Sequence, residues 1–159
     1  MHALYDHTDI KILELLQNNS RIKRNKISEI IGMSIPSITD RLHKLETNGI
    51  IESYLTKLNP KVLGIDITAF IFVTVDSSVH YKEFVAHSLQ TPEVLECNSI
   101  TGDGTHIIKV RTENTSTLEK LLSKIQSWKG VLSTRTSIVL STHKEGFYLD
   151  LKKNLKTAE

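Results

Sequence analysis

The stretch NKISEIIGMSIPSITDRLHKLETNG, from Asn25 to Gly49, decides the fold of the first part of this chain. Ile27, Ile30 and Ile31 form one short apolar face, and Gly32 ends it as a residue able to take positive φ. Ser34 is placed to cap a second helix that tolerates Pro36 in its first turn, and in it Ile38, Leu42 and Leu45 recur at spacings of four and three. Two helices separated by the tight Gly32-Met33-Ser34 turn have the proportions of a helix-turn-helix unit. Asn25 is the expected cap of the first of them. Upstream, Asp9 is the expected cap of another helix, in which Ile10, Ile12, Leu13, Leu15 and Leu16 keep the helical rhythm as far as Asn18-Asn19-Ser20. Gly49 stops the last helix, and Ile50 to Leu55 followed by Asn59-Pro60 reads as a short extended piece and then a connection.

From Ile67 the period changes to two. Ile67, Ala69, Ile71, Val73 and Val75 share one strand face and Phe70 and Phe72 the other, so both faces are apolar. A helix carrying Tyr81, Phe84, Val85 and Leu89 follows, then a strand near Val94–Ile100, the Thr101-Gly102-Asp103-Gly104 turn and a strand near His106–Arg111. Ser116 with Glu119 is the expected capping box of a further helix burying Leu118, Leu121, Leu122 and Ile125; Gly130 ends it, and Val131–Leu140 is the final strand. Strand, helix, strand, strand, helix, strand is the ferredoxin-like βαββαβ order, an antiparallel sheet with both helices on one side. The fold class is therefore α+β, a helix-turn-helix domain of the winged-helix type followed by a ferredoxin-like domain. The other face of the sheet needs a cover, and self-association is its simplest source.

Composition sets the outer bounds. With 159 residues, 39% hydrophobic and 24% charged, the chain has the make-up of an ordinary globular protein. A lone cysteine, Cys97, leaves no intramolecular disulfide to form and fits a reducing cytoplasm. The N-terminus is polar, with no classical-looking secretion signal, and no apolar run reaches the ~18 residues of a membrane span, so a cytoplasmic protein without a membrane partner is expected. Lys and Arg outnumber Asp and Glu by 9 to 7 over residues 1–62 and match them 11 to 11 thereafter. The excess is concentrated in Arg21, Lys23, Arg24, Lys26, Arg41 and Lys44, set against Glu29 and Asp40, which favours a polyanion as partner.

At about 100° per residue, Ile38, Leu42 and Leu45 are the buried stripe of the Ser34-capped helix, and Ser37, Asp40 and Lys44 project from the opposite side with Arg41 flanking them. Ser37 can donate to a phosphate or base edge, Asp40 can accept from cytosine N4, and Arg41 and Lys44 can reach guanine or phosphates in a major groove. With Arg21, Lys23, Arg24 and Ser34 they form the candidate contact set for double-stranded DNA.

Several motifs together resemble the Lrp/AsnC (leucine-responsive, feast/famine) transcription regulators. They are Asp9-Ile10-Lys11-Ile12-Leu13-Glu14-Leu15-Leu16, Arg21-Ile22, Ile31-Gly32-Met33-Ser34, Arg41-Leu42-His43-Lys44-Leu45-Glu46 with Gly49-Ile50-Ile51, and Tyr54 with Leu58-Asn59-Pro60 and Leu63-Gly64. The similarity continues through Cys97, Gly102-Asp103, Ile107-Ile108-Lys109-Val110, and Gly130-Val131 with Thr134-Arg135-Thr136. The resemblance implies an N-terminal DNA-binding domain, a C-terminal domain that senses amino acids and dimerises through its sheet, and dimers that assemble into octamers. The corresponding domain limits are 1–50 for the helix-turn-helix domain, 51–64 for a linker or wing strand, 65–148 for the effector-binding and oligomerisation domain, and 149–159 for a tail forming an edge strand or a helix.

The family's effector pocket lies at a dimer–dimer contact, lined by a turn whose usual pattern is Gly-Asp-aromatic-Asp-aromatic. Here the run is Gly102-Asp103-Gly104-Thr105-His106. The glycines can still present backbone N–H groups to a carboxylate and Asp103 can receive an α-ammonium. Thr105 in place of the second acid, and Gly104 and His106 in place of the aromatics, point to a changed ligand preference or to none. Thr134 and Thr136 complete the candidate effector set. No cofactor, metal site or catalytic residue is expected: His80, Glu83 and His87 read as a solvated helix face, Cys97 as a small core hydrophobe, and no phosphate-binding loop or nucleophile elbow is present. A DNA-binding transcription regulator is the expected function, with an effector-independent architectural protein that bends or wraps DNA as the alternative and a small ferredoxin-like enzyme as the weaker rival.

Overall fold

In a computed structural model, which describes residues 5–151, these residues form two compact units, 5–57 with 144–151 and 58–143. Residues 144–148 thus group with the N-terminal unit and not with the sheet: Lys57 Nζ donates to the Glu145 carbonyl at 2.9 Å, and Gln17 exchanges two hydrogen bonds with the Leu149 backbone. The tail expected over 149–159 lies mostly outside the described residues.

The N-terminal unit holds α1 (His7–Asn18), α2 (Arg24–Ile31) and α3 (Ile35–Thr47). Ile12, Leu13, Ile27, Ile38, Leu42 and Leu45 close its core, which confirms the α3 stripe read from the spacing. The caps differ from expectation at two places. Asp6, and not Asp9, caps α1; its side chain accepts from Thr8 N and Asp9 N, while the Asp9 carboxylate accepts from Asp6 N at 2.9 Å, so Asp9 is the returning arm of a capping box. α2 begins one residue before Asn25, because the Lys26 and Ile27 N–H groups both donate to the Lys23 carbonyl and leave Asn25 inside the first turn. Gly32 closes α2 at φ 78°, and Ser34 caps α3 by accepting from Ser37 N. Residues 51–66 contain no strand, so this segment is a connection and not a wing strand; its one ordered feature is the turn in which Leu63 and Ile65 donate to Pro60.

The second unit is one antiparallel sheet in the order β2-β3-β1-β4, formed by β1 (Ile67–Val75), β2 (Val94–Ser99), β3 (His106–Thr112) and β4 (Val131–Ile138), with α4 (Ser78–Leu89) and α5 (Thr115–Gln126). Ala69, Ile71, Val73 and Val75 pack with Phe84 of α4 and Leu118, Leu121 and Ile125 of α5, so both helices lie on that side and Phe70 and Phe72 on the other. The capping box of α5 is Asn114 with Thr117, not Ser116 with Glu119: each backbone N–H donates to the other's side-chain oxygen at 3.0 Å, which starts the helix two residues earlier. β4 ends at Ile138, two residues short of Leu140, after which Val139 N still donates to Thr68 O. Cys97 packs against the core beside Ile108, as a small hydrophobe should. Among the described residues no helix is long and apolar enough to cross a membrane.

Candidate functional site

Two places collect the predicted site residues, one in each unit. In the N-terminal unit, Ser37, Asp40, Arg41 and Lys44 line one recess on α3 together with Tyr5, Asp6, Asp9 and Asn48. Asp40 and Lys44 are exposed, as are Arg21, Lys23, Arg24 and Ser34 around α2 and the turn. Ser37 and Ser34 are bound to each other, Oγ to Oγ at 2.8 Å, which uses one of their two O–H groups and leaves the other able to donate.

Arg41 has a different task from the one its charge suggests. Its Nη1 lies 2.8 Å from Asp6 Oδ2 and 2.8 Å from Asp9 Oδ1, and its side chain is 27% exposed. The guanidinium therefore ties α3 to the capping box of α1 and is neutralised there, instead of projecting toward a nucleic acid. The two carboxylates raise the Arg41 pKa further. Burial pushes the Asp6 carboxyl up, but the Asp9 and Thr8 N–H groups and Arg41 outweigh it and hold the group below its ordinary 3.8. A carboxyl depressed in the folded state contributes stability above its unfolded pKa and loses it as the pH falls through the folded value, so this clamp loosens only in acid.

The wheel that selects Ser37, Asp40 and Lys44 also turns Pro36 and His43 outward, and both are exposed. They were legible from spacing, but neither is a lysine or an arginine, so a search for basic residues passes over them.

In the second unit, the turn between β2 and β3 uses Gly102 at φ 102° and Gly104 at φ 124°. A Cβ on Gly104 would meet Val73 O at 3.0 Å, which demands glycine on both counts. Thr105 is consumed in pinning this turn to β1: its N–H and Oγ1 both donate to Val73 O, and Oγ1 accepts from Val75 N at 3.0 Å. Asp103 points away from these bonds and pairs with Arg135 of β4 at 2.8 Å, with both side chains largely exposed. The Arg135 guanidinium in turn lies 4.7 Å from the Phe72 ring centre, a cation–π contact on the open sheet face. Thr134 and Thr136 stand opposite Val73 and Ile71, on the helix side of β4, and Thr134 accepts from Gln126 Nε2 at 2.8 Å. The structure therefore joins Asp103 to Arg135, a residue outside the predicted set, and separates it from the two threonines. Arg135 was missed because strand alternation alone does not say which edge strand lies beside the turn.

His106 departs furthest from expectation. It is fully buried, with its ring 4.8 Å from that of Tyr81 and 4.7 Å from that of Phe84, so it is a core residue and does not face a ligand at the turn. Nδ1 is 2.9 Å from Thr105 Oγ1 and Nε2 has no partner. Burial lowers its pKa below 6.5, because the charged imidazole would be held away from water. The unfolded chain then binds the proton more readily than the folded one, so the stabilising contribution is complete above pH 6.5 and is lost as the pH falls through the folded value. Melting temperatures measured from pH 7 to pH 5 should fall more steeply for the parent than for His106→Phe; parallel curves would show that the ring titrates normally.

The remaining predicted groups do not converge. His80 bonds Asp76 at 2.6 Å, while His87 lies 3.9 Å from Glu83 and stacks on Trp128. Among the described residues no three His, Cys, Asp or Glu side chains are placed to hold a metal ion.

A capped helix-turn-helix followed by an antiparallel βαββαβ sheet defines a DNA-binding transcription regulator with a ligand-binding domain. Residues 68–149 match the Lrp/AsnC ligand binding domain and residues 5–52 a winged helix-turn-helix DNA-binding domain. The chain is 36% identical, over 96% of its length and all of the relative, to the HTH-type transcriptional regulator FL11 of Pyrococcus horikoshii. It is 29% identical, over 92% of each chain, to the leucine-responsive regulatory protein of Escherichia coli K12. Among solved structures, a Neisseria meningitidis transcriptional regulator in complex with L-Met superposes with a TM-score of 0.88 at 30% identity, over 94% of this chain and 98% of that one. The chain belongs to the Lrp/AsnC family of transcription regulators. The curated relatives named here are regulatory proteins.

Proposed function

We propose that this regulator is a cytoplasmic, homodimeric or octameric protein whose DNA binding responds to an amino acid or a related zwitterion held at the Gly102–Thr105 turn. The observation that carries the ligand reading is the exposed Asp103–Arg135 pair. A carboxylate and a guanidinium side by side on a glycine turn are complementary to an α-ammonium and an α-carboxylate, and each is exposed enough to exchange its present partner for a ligand. In the structural neighbour from Neisseria the bound molecule is an amino acid, L-Met. Thr105, spent on the β1 backbone, supplies nothing to a ligand, and this favours the second reading, an effector-independent protein that bends or wraps DNA.

The dimer is assigned to the open sheet face. Phe70 and Phe72 of β1 and Ile107 of β3 lie together there, rimmed by Lys109, Arg111 and Arg135. DNA is assigned to α3 and the start of α2, through Arg21, Lys23, Arg24, Asp40 and Lys44, with Ser34 and Ser37 shaping the turn and Arg41 bracing it.

Screening the purified protein against the twenty amino acids by thermal shift tests the sensor reading, since a ligand that binds only the folded state must raise the melting temperature. At least one amino acid should do so, should alter DNA affinity, and should lose both effects in Asp103→Asn. If none shifts the melting temperature or the DNA affinity, the architectural reading stands instead.

A further inference from the structure

Thr105 and His106 close the Gly102–Thr105 turn without facing a ligand, and they are bonded to each other. His106, the first residue of β3, is completely buried, and its Nδ1 lies 2.9 Å from Thr105 Oγ1. Thr105 anchors the turn on β1: Oγ1 accepts from Val75 N at 3.0 Å and lies 3.1 Å from Val73 O, while Thr105 N donates to the same carbonyl at 2.9 Å. Counting protons assigns the tautomer. Oγ1 owns a single hydrogen, which goes to Val73 O, so Nδ1 carries a proton and donates it to Oγ1. The other assignment, with the hydroxyl turned to Nδ1, buries an N–H at Nε2 with nothing to accept it. Nε2 is therefore a bare lone pair.

A second proton can bind only there, and its surroundings cannot hold it. The ring lies against the Tyr81 and Phe84 rings of α4 and pairs across the sheet with Val73 of β1 and Ser99 of β2. Of these four residues only Tyr81 is titratable, and a phenol with its ordinary pKa near 10 is no counter-ion at neutral pH. The other ionisable groups of α4 are engaged or in water: His80 pairs with Asp76, His87 lies near Glu83, and Lys82 is exposed. At the turn, Asp103 and Arg135 pair with each other. Burial accordingly lowers the pKa of the ring. An imidazolium gains water only by leaving this pocket, and its bond to Thr105 Oγ1 is broken when it does.

We infer that His106 is a positioning residue for the ligand turn: its neutral ring braces Thr105, and one proton taken up at Nε2 drives the ring out and releases the turn from β1. Any ligand held by the turn is then opposed by protons. That consequence rests on the turn being the ligand site, whereas the release is read without a ligand. Amide hydrogen exchange of the full chain, corrected for its intrinsic pH dependence, follows Thr105 N–H against the amides in the middle of the β1–β3 ladder. From pH 7 to pH 5 the protection of Thr105 should fall, by up to about tenfold for each unit below the pKa of the folded ring, while the ladder holds. His106→Phe fills the same pocket without a titratable atom and should protect Thr105 equally at both ends of the range. His106→Leu repeats the comparison should the phenylalanine variant melt early. Thr105 protection that is indifferent to pH in the parent, or that falls equally in both variants, overturns the inference. Thermal shift with each of the twenty amino acids at pH 7 and pH 5 then reads the site: one that binds the parent should bind more weakly at pH 5, and equally at both in His106→Phe. A proton-released turn that binds no amino acid supports the brace and removes the ligand reading; amino-acid binding indifferent to pH removes the brace and keeps that reading.

Discussion

Ile71→Glu is expected to unfold the sensor unit, and Phe72→Glu, one residue along the same strand, to leave it folded and split the dimer. Ile71 is completely buried between the sheet and the two helices, with Phe84 and Leu121 in the same cluster. Among the groups of that cluster there is no cation to pair with a carboxylate, and burying an unpaired charge costs on the order of 4 kcal/mol or more, a large part of a small domain's net stability. Phe72 points the other way and is only half-buried, under the Arg135 guanidinium. A carboxylate at that position finds Arg135 beside it and water around it, so the fold survives. Across the proposed two-fold interface, where the same patch would meet itself, it would place like charges opposite each other. Thermal melts and sedimentation separate the two outcomes. Operator affinity should fall by roughly a hundredfold for the split dimer, because two linked reading helices bind paired half-sites with an avidity that one lacks. A Phe72→Glu protein that sediments like the parent, or a parent that is monomeric at micromolar concentration, would show that the open face is not the interface.

Arg41→Ala should weaken DNA binding through the fold, with no change in its dependence on salt. The substitution leaves Asp9, whose side chain is 12% exposed, and the Asp6 cap without their shared cation. Stranding a nearly buried charged acceptor costs about 1–3 kcal/mol, so the N-terminal unit should melt several degrees earlier. Lys44→Ala should do the reverse: an exposed lysine contributes little to stability, and its loss should lower the slope of log affinity against log salt by about one. Titrating both variants at several salt concentrations decides the matter. If Arg41→Ala also reduces the salt slope, its guanidinium leaves the two aspartates and reaches phosphate in the complex.

These two experiments fall where sequence and tertiary structure part company. Local signals determined the element order. Gly32, Ser34 and the Ile38, Leu42, Leu45 spacing placed the helix-turn-helix, and the change of period at Ile67 placed the sheet, because backbone conformation and the 3.6- or 2-residue repeat of burial are written in adjacent residues. The caps of α1, α2 and α5 were displaced by two or three residues for the same reason in reverse. Several side chains near each start can accept the same orphan N–H groups, and the choice falls to whichever also fits its surroundings, as Asp9 does by turning back to Asp6 N and Arg41. Alternation along β1 showed two apolar faces and had no means of ranking them; that required knowing that both helices lie over Ile71 and Val73. Long-range pairing was equally invisible. Arg41 counts as a free cation until Asp6, 35 residues earlier in the chain, is folded against it, and Asp103 counts as a free carboxylate until β4 brings Arg135 alongside. Thr105 and His106 changed roles together, since the turn that exposes the one sequence motif buries its last residue in the core. Sequence alone thus determined the order and kind of the main elements and the class of protein they make. Only the tertiary structure decided which charges remain available to a partner, because an ion pair between distant segments is a property of the folded chain and leaves no local period behind it.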